Sequence, residues 1–369
     1  MIPSSVGPPA KSPDAASASL PTDHAAKIEA VSGDPDPGRR TAVRERRTAR
    51  LPEEAGVILA LAALVGIVGA FHPAFLTPAN LITQVGGSAA YGILALGMVF
   101  VIAIGEIDLS IGWMFNFAAV IGAGVMVAGI DPWIAAAIGV LFGAVLGLIN
   151  GVLGVGLRIP MIIITLGTFS MYRGLALVVN KSTAIIPPDT TGSFFVISQA
   201  RIGGVLPVVA VVFVILAVLL HVVLHHTRFG YRVQAIGSNP EAARLAGIRT
   251  ARTKIQVMVL MGAVAGFAGA LFVGFRGAID PTSGSEFALI VIAAAIIGGT
   301  PLSGGGGTVI GALVGALIIT TISSGIIFFG IDATWSTFVT GAVIVIAVVI
   351  DQLVRRQRSQ RAGLAADGV

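Results

Sequence analysis

The sequence predicts an all-α polytopic membrane protein of about ten transmembrane helices. Three observations predict it. Hydrophobic residues make up 55% of the 369 residues and charged residues only 11%, whereas a soluble domain is about a quarter charged. Long apolar runs recur from Ala55 almost to the C-terminus, and about 20 such residues span a bilayer core. Lys and Arg are sorted between alternate links, as positive-inside topology requires. These features exclude a soluble enzyme, a coiled coil or a disordered scaffold as the main body. With no cysteine in the chain, disulfides, thiolate metal sites and cysteine nucleophiles are excluded as well.

Residues 1–54 read as a disordered tail rich in Pro, Ala, Ser and Asp, ending in a basic stretch from Arg39 to Arg50. No apolar run precedes Ala55, so no secretory signal peptide is expected. The basic stretch abuts a hydrophobic segment, which favours a juxtamembrane role over nucleic-acid binding. The transmembrane region, 55–354, holds ten apolar segments: 55–71, 81–104, 109–128, 133–155, 161–179, 204–226, 255–275, 288–300, 308–329 and 335–354. The eighth is short, and the second to fourth are joined by brief links, where broken or tilted helices are expected. Residues 355–369 form a second tail.

With both termini cytoplasmic, 19 of the 23 Lys and Arg fall in the tails, in 156–160 and in the loop 227–254. Lys181, Arg201 and Arg276 are outside, and Arg173 lies within the fifth segment. This placement accounts for the net charge of +5 without nucleic acid. Small residues recur at four-residue spacing: Gly139, Gly143, Gly147 and Gly151; Gly262, Gly266, Ala270 and Gly274; Gly307, Gly311 and Gly315. Such stripes let helix backbones approach closely. They serve tight packing, or sliding of helices during transport, and spacing alone does not decide between the two.

The loop 227–254 carries a local helix signal. Asn239 is a natural N-cap, Pro240 fits the first helical position, Glu241 suits the first turn, and Gly247 is a natural stop. A helix of about two turns is marginal alone, so it should dock. Ala242, Ala243 and Ala246 offer a small face for a partner groove, although a helix lying on the membrane surface fits the same pattern. Histidines His221, His225 and His226 cluster without a third metal ligand and read as interfacial anchors. The run Gly304–Gly307 lacks the Gly-Lys-Ser/Thr ending of a phosphate loop and reads as a turn. No cofactor or metal is expected.

The stretch AIGSNPEAARLAGI resembles the coupling loop of permease subunits of bacterial ABC importers for monosaccharides, the ribose/xylose type within the wider branched-chain amino acid and ribose permease superfamily. GEIDLSIG from Gly105, RIPMIIITLGTFSMYRGLAL from Arg158, IIGGTPLSGGGGTVIGALVGALII from Ile296 and FLTPANL from Phe75 resemble further segments of that family. The resemblance runs in order over about residues 55–354. It implies the type II ABC importer permease fold, with inverted repeats, in the bacterial inner membrane. It also implies a second permease copy, a cytoplasmic ABC ATPase that hydrolyses the ATP, and an extracytoplasmic solute-binding protein. Asn239, Glu241, Ala242, Ala243 and Gly247 would then form the ATPase-coupling loop. Asp108, Ser110, Gly298 and Gly299 fall in its structural motifs.

Glu106 departs from the family pattern, which has glycine there. Two carboxylates, Glu106 and Asp108, then lie close together, and such charges near a bilayer must be paired or wet. They contact substrate, an ion or a basic group, or they lie at a solvated junction where Asp108 or Ser110 caps the third span. Arg173 is either functional or snorkels to the nearer face. Asn116, Asn150, Thr165, Thr168 and Arg173 are candidates for a path suited to a hydroxyl-rich neutral solute. The uncharged ones equally fit hydrogen bonds across helices. The reading is a non-catalytic permease for a monosaccharide or related polyol. The alternatives are a permease for branched-chain amino acids or nucleosides, and an ion-coupled secondary transporter.

Overall fold

The computed structural model describes residues 53–349, apart from 333, 336, 340, 344, 347 and 348. The predicted disordered tail, up to residue 52, and the C-terminal tail lie outside the described residues. Glu53 and Glu54, assigned above to the tail, begin the first helix.

The helices run α1 Glu53–Phe71, α2 Pro78–Ala103, α3 Ile111–Val127, α4 Pro132–Leu157 and α5 Met161–Val179. They continue with α6 Ser193–Gln199, α7 Val208–His226, α8 Arg228–Ser238, α9 Pro240–Leu245, α10 Thr250–Arg276, α11 Phe287–Ile297 and α12 Val309–Phe328. Helical residues recur between 335 and 349. Among the described residues seven helices are long and apolar enough to cross a membrane, and α3 and α11 are shorter apolar helices. Each of the ten predicted segments therefore has a helical counterpart. Among the described residues the departures from an all-helical chain are a 3-10 turn, Pro73–Leu76, the two-residue hairpin β1 Arg201–Ile202 with β2 Leu206–Pro207, and a single bridge between Ile185 and Ile279.

Core position follows hydrophobic distribution. The second half of α2 is apolar on every face, and Ile93 to Ala103 is buried throughout. A helix with no polar face belongs inside the bundle. It is surrounded by α7, α10, α11 and α12. By contrast, α1 is mostly exposed and packs on α12. At that seam the buried Phe75 meets Phe328 edge-on at 5.4 Å, and His72 meets Phe329 at 4.5 Å.

The glycine stripes find their partners in each other. A side chain on Gly143 would collide with the backbone of Gly262 and Gly266, and one on Gly147 with Met258 and Gly262. The reciprocal holds for Gly262 and Gly266 against Gly139, Val140, Gly143 and Gly147. Thus α4 and α10 touch backbone to backbone. Gly139 also abuts the Ala118 carbonyl of α3, and Gly315 of α12 abuts Ala294 of α11. Van der Waals contact of this kind replaces the hydrophobic drive that lipid removes.

α2 and α10 end on the same device. Gly105 (φ 83°) follows α2 and Gly277 (φ 74°) follows α10, each opening a Gly-X-Ile-Asp sequence. After α2, Gly105 N–H donates to Ile102 O at 2.8 Å and Glu106 N–H to Val101 O at 2.9 Å. This is the paired bonding of a glycine-terminated helix. The helix after each break starts afresh, and α11 is only 11 residues long. Gly298 and Gly299 close α11 in the same way, with Gly299 N–H on Ile296 O at 2.8 Å and Thr300 N–H on Ala295 O at 3.0 Å. Gly298 also lies against Gly311 of α12, leaving no room for a side chain.

Candidate coupling surface and translocation groove

The loop 227–254 holds two helices where the sequence reading placed one. Its short helix, α9, is bounded by the predicted residues. Asn239 Oδ1 accepts from Glu241 N at 3.1 Å and Ala242 N at 3.0 Å. At the other end Gly247 takes φ 81°, with Gly247 N–H on Arg244 O and Ile248 N–H on Ala243 O, both at 3.0 Å. The small face splits: Ala243 is buried against the protein, while Glu241, Ala242, Ala246 and Leu245 are exposed. Leu245 is 81% exposed. The face left for a partner is therefore Glu241, Ala242, Leu245 and Ala246. Arg244 lies 3.9 Å from Glu241, both in solvent.

The second helix, α8, was read as loop because its apolar residues are few and set among Arg, Gly and Gln. Val233 and Ile236 are buried, together with Gly230. Thr227 caps it, accepting from Gly230 N at 3.2 Å while donating to Val223 O at 2.6 Å. Gly230 abuts the Leu224 carbonyl, which folds α8 back on α7. At its far end Ser238 Oγ donates to Gly305 O at 3.3 Å, and Gly305 N–H donates to Ala103 O at 2.9 Å. The glycine run thus ties α8 to the end of α2. Gly304 and Gly305 hold φ of 76° and 83°, conformations that side chains disfavour.

Beside α9, a cavity of about 440 Å³ is lined by Arg232, Arg249 and Arg252. Among the described residues no carboxylate pairs with them. On the other side of α10's first turn, Lys254 pairs with Glu106. Of the two readings for this residue, contact with a neighbouring basic group is the one seen, and it fastens the α2–α3 link to α10. The pair has side-chain exposures of 29% and 17%, so it is partly shielded from screening.

Asp108 is wholly buried, not solvated. Its Oδ1 accepts from Ser110 N at 2.8 Å and Ser110 Oγ at 2.7 Å. Ser110 Oγ in turn accepts from Asn150 Nδ2 at 2.9 Å, and Asn150 Oδ1 accepts from Tyr172 Oη at 2.9 Å. This chain joins α3, α4 and α5 through residues distant in sequence. Thr165 Oγ1 accepts from Leu109 N at 3.2 Å, and Thr168 donates to Thr165 O at 3.4 Å. Asn116 Nδ2 donates to Asp280 O at 3.1 Å and Ser283 O at 2.9 Å, fastening α3 to the link before α11. All four uncharged path candidates are thus buried and bonded within the chain. Arg173 is exposed, with its guanidinium carbon 5.6 Å from the centre of the Trp113 ring, a cation–π arrangement.

A separate groove of about 470 Å³ runs between α5, α11, α12 and the residues around Thr337. Its walls include Phe169, Ser285, Glu286, Ser323 and Thr337. None of these was singled out from sequence. The available signal was an acidic residue directly before an unusually short apolar segment.

A family model described as the permease component of a branched-chain amino acid transport system matches residues 77–348. The chain belongs to this permease family. The permease is 39% identical over 300 residues to the ribose import permease protein of Bacillus subtilis, a match covering 81% of this chain and 93% of that protein. It is 33% identical over 315 residues to an L-arabinose ABC transporter permease protein of Azospirillum brasilense, covering 84% and 90%. It is also 33% identical over 303 residues to the D-allose transport system permease protein of Escherichia coli, covering 82% and 92%. No solved structure matches the permease at a comparable level. Its seven long apolar helices and its family make it a multi-pass inner-membrane protein.

Proposed function

We propose that the chain forms the translocation path of an ATP-driven importer for a monosaccharide or related polyol. A partner ATPase binds the exposed face of α9 and hydrolyses the ATP, while an extracytoplasmic binding protein delivers the solute. Two permease copies make the complete path, and both termini are cytoplasmic. The observation that carries the coupling role is α9 itself. It is a six-residue helix, capped at both ends, that presents Glu241, Ala242, Leu245 and Ala246 outward. Through Ala243 and Ile248 it rests on the bundle, and after Arg249 it runs directly into α10. A push on α9 therefore reaches the α4–α10 glycine seam and, through Lys254, the α2–α3 link.

The arginine-walled cavity beside α9 supports the cytoplasmic side, since positive charge is retained there. The substrate class rests on the relatives, whose names specify ribose, L-arabinose and D-allose. The family description, naming branched-chain amino acids, supports the second reading. The test is ATP-dependent uptake by the chain reconstituted with its ATPase and binding protein. Labelled pentoses and hexoses are offered in parallel with leucine and valine. Sugar uptake that stops with a hydrolysis-dead ATPase supports the proposal. Uptake of leucine alone, or sugar uptake driven by an ion gradient without ATP, overturns it.

A further inference from the structure

We propose that Glu286, with Ser285, Thr337 and the ring of Phe169, forms a subsite for the hydroxyl groups of a neutral sugar part-way across the membrane. This inference rests on the import reading above and names where in the chain the solute is held. Three observations carry it.

The first is depth. α11 has 11 residues and so rises about 16 Å at 1.5 Å per residue, roughly half of a ~30 Å hydrocarbon core. Glu286 sits at its start. Ser323, which shares the groove, lies 14 residues into the 20-residue α12, about 21 Å along that helix. Both helices meet at the turn 298–308, which Gly305 ties to the end of α2 and to α8, so the two positions lie about 16–21 Å in from that side.

The second is charge. Glu286 is exposed in the chain, and among the described residues it has no cationic partner. A carboxylate at such depth is stable only when paired or in a water-filled cavity. With no cationic partner among the described residues, the groove it lines is expected to hold water.

The third is the chemistry of the walls. A carboxylate offers only acceptor positions, which match the O–H donors of a sugar. The hydroxyls of Ser285 and Thr337 both donate and accept, and the ring of Phe169 offers a flat apolar surface to the C–H face of a pyranose or furanose. A cavity of about 470 Å³ lies within the usual range for small-molecule sites. Among the described residues that line the groove none is cationic, so none offers an ion pair to an amino acid's carboxylate.

The test uses the complete transporter. The chain has no cysteine, so T337C supplies a single reporter thiol. A water-soluble, membrane-impermeant maleimide is applied with and without saturating sugar. We expect T337C to be labelled and the sugar to slow labelling at least threefold. That protection should vanish in T337C/E286A. In uptake, E286A should lose about tenfold or more in rate at matched expression and matched co-purification with the ATPase. E286Q, which keeps one acceptor oxygen and the side chain's size, should retain more activity than E286A and guards against a folding artefact. A lipid-shielded, unlabelled Thr337→Cys overturns the inference. So does sugar protection that persists without Glu286, or unchanged uptake in both Glu286 variants. If the wild-type transporter imports no sugar with its ATPase active, the import reading itself fails, and the subsite with it.

Discussion

Replacing Gly143 by alanine should destabilise the bundle, while the same change at Gly156, on the same helix, should not. A methyl group on Gly143 would stand 2.9 Å from Gly266 N and 3.0 Å from Gly266 Cα, and closer still to the Gly262 carbonyl. These are backbone atoms of a neighbouring helix and cannot rotate away. Restoring ordinary contact requires α4 and α10 to part by about 0.5–1 Å, which forfeits a quarter to a half of each atom-pair attraction across the seam. With on the order of 30 pairs at about 0.15 kcal/mol each, the loss is about 2 kcal/mol. Alanine's better helix propensity returns about 1 kcal/mol in water, but strain at the carbonyl of Gly262 adds about 1–3 kcal/mol. The net expectation is a loss of about 2–4 kcal/mol. At Gly156 nothing lies within 4 Å of the added carbon, so the propensity gain stands alone. The assay is reversible unfolding in mixed micelles at rising denaturing-detergent fraction, followed by helical circular dichroism. Equal midpoints for G143A and G156A would refute the claim that the α4–α10 stripe is a backbone-to-backbone seam.

Other outcomes follow from the same contacts. Removing the Asn150 amide by N150A takes a buried donor from Ser110 Oγ and leaves Tyr172 Oη only the Leu146 carbonyl, and should cost about 2 kcal/mol in the same unfolding assay. Glu106 and Lys254 should show a coupling of about 1 kcal/mol in a double-mutant cycle, and the swap E106K/K254E should recover part of each single loss. N239A removes both bonds of the α9 cap and should loosen that helix by about 1 kcal/mol, read as faster amide exchange confined to residues 240–247. E241K reverses charge on the exposed face of α9 without touching the bundle. It should reduce co-purification of the ATPase several-fold while leaving the amount of membrane-inserted chain unchanged.

The legible parts of the fold are those encoded locally. Ten helical segments could be read because each is a contiguous apolar run. α9 could be read because Asn239, Pro240 and Gly247 bound it within nine residues of chain. α8 escaped because its buried residues, Gly230, Val233 and Ile236, sit among arginines, and only contact with α7 makes them a face. The stripes of small residues were visible, but not which stripe meets which, since Gly143 and Gly262 are brought together by the tertiary fold. For the same reason the sequence left open whether Asp108 is solvated, and its burial appears only in the fold. The side chains that extend its hydrogen-bond chain, Asn150 and Tyr172, lie 42 and 64 residues away. Glu286 was passed over because one acid in a short polar link carries no periodicity. Its setting appears only when α5, α11 and α12 are assembled around it.

We propose that this chain is the membrane path of an ATP-driven sugar importer, worked through α9. The most direct measurement is the uptake of labelled monosaccharide into proteoliposomes containing the chain, its ATPase and the binding protein. The comparison is between wild type and E241K, each with active and hydrolysis-dead ATPase. Uptake is expected only with the active ATPase, and several-fold lower in E241K than in wild type. Equal uptake in all four preparations, or uptake that follows an ion gradient and ignores ATP, would contradict it.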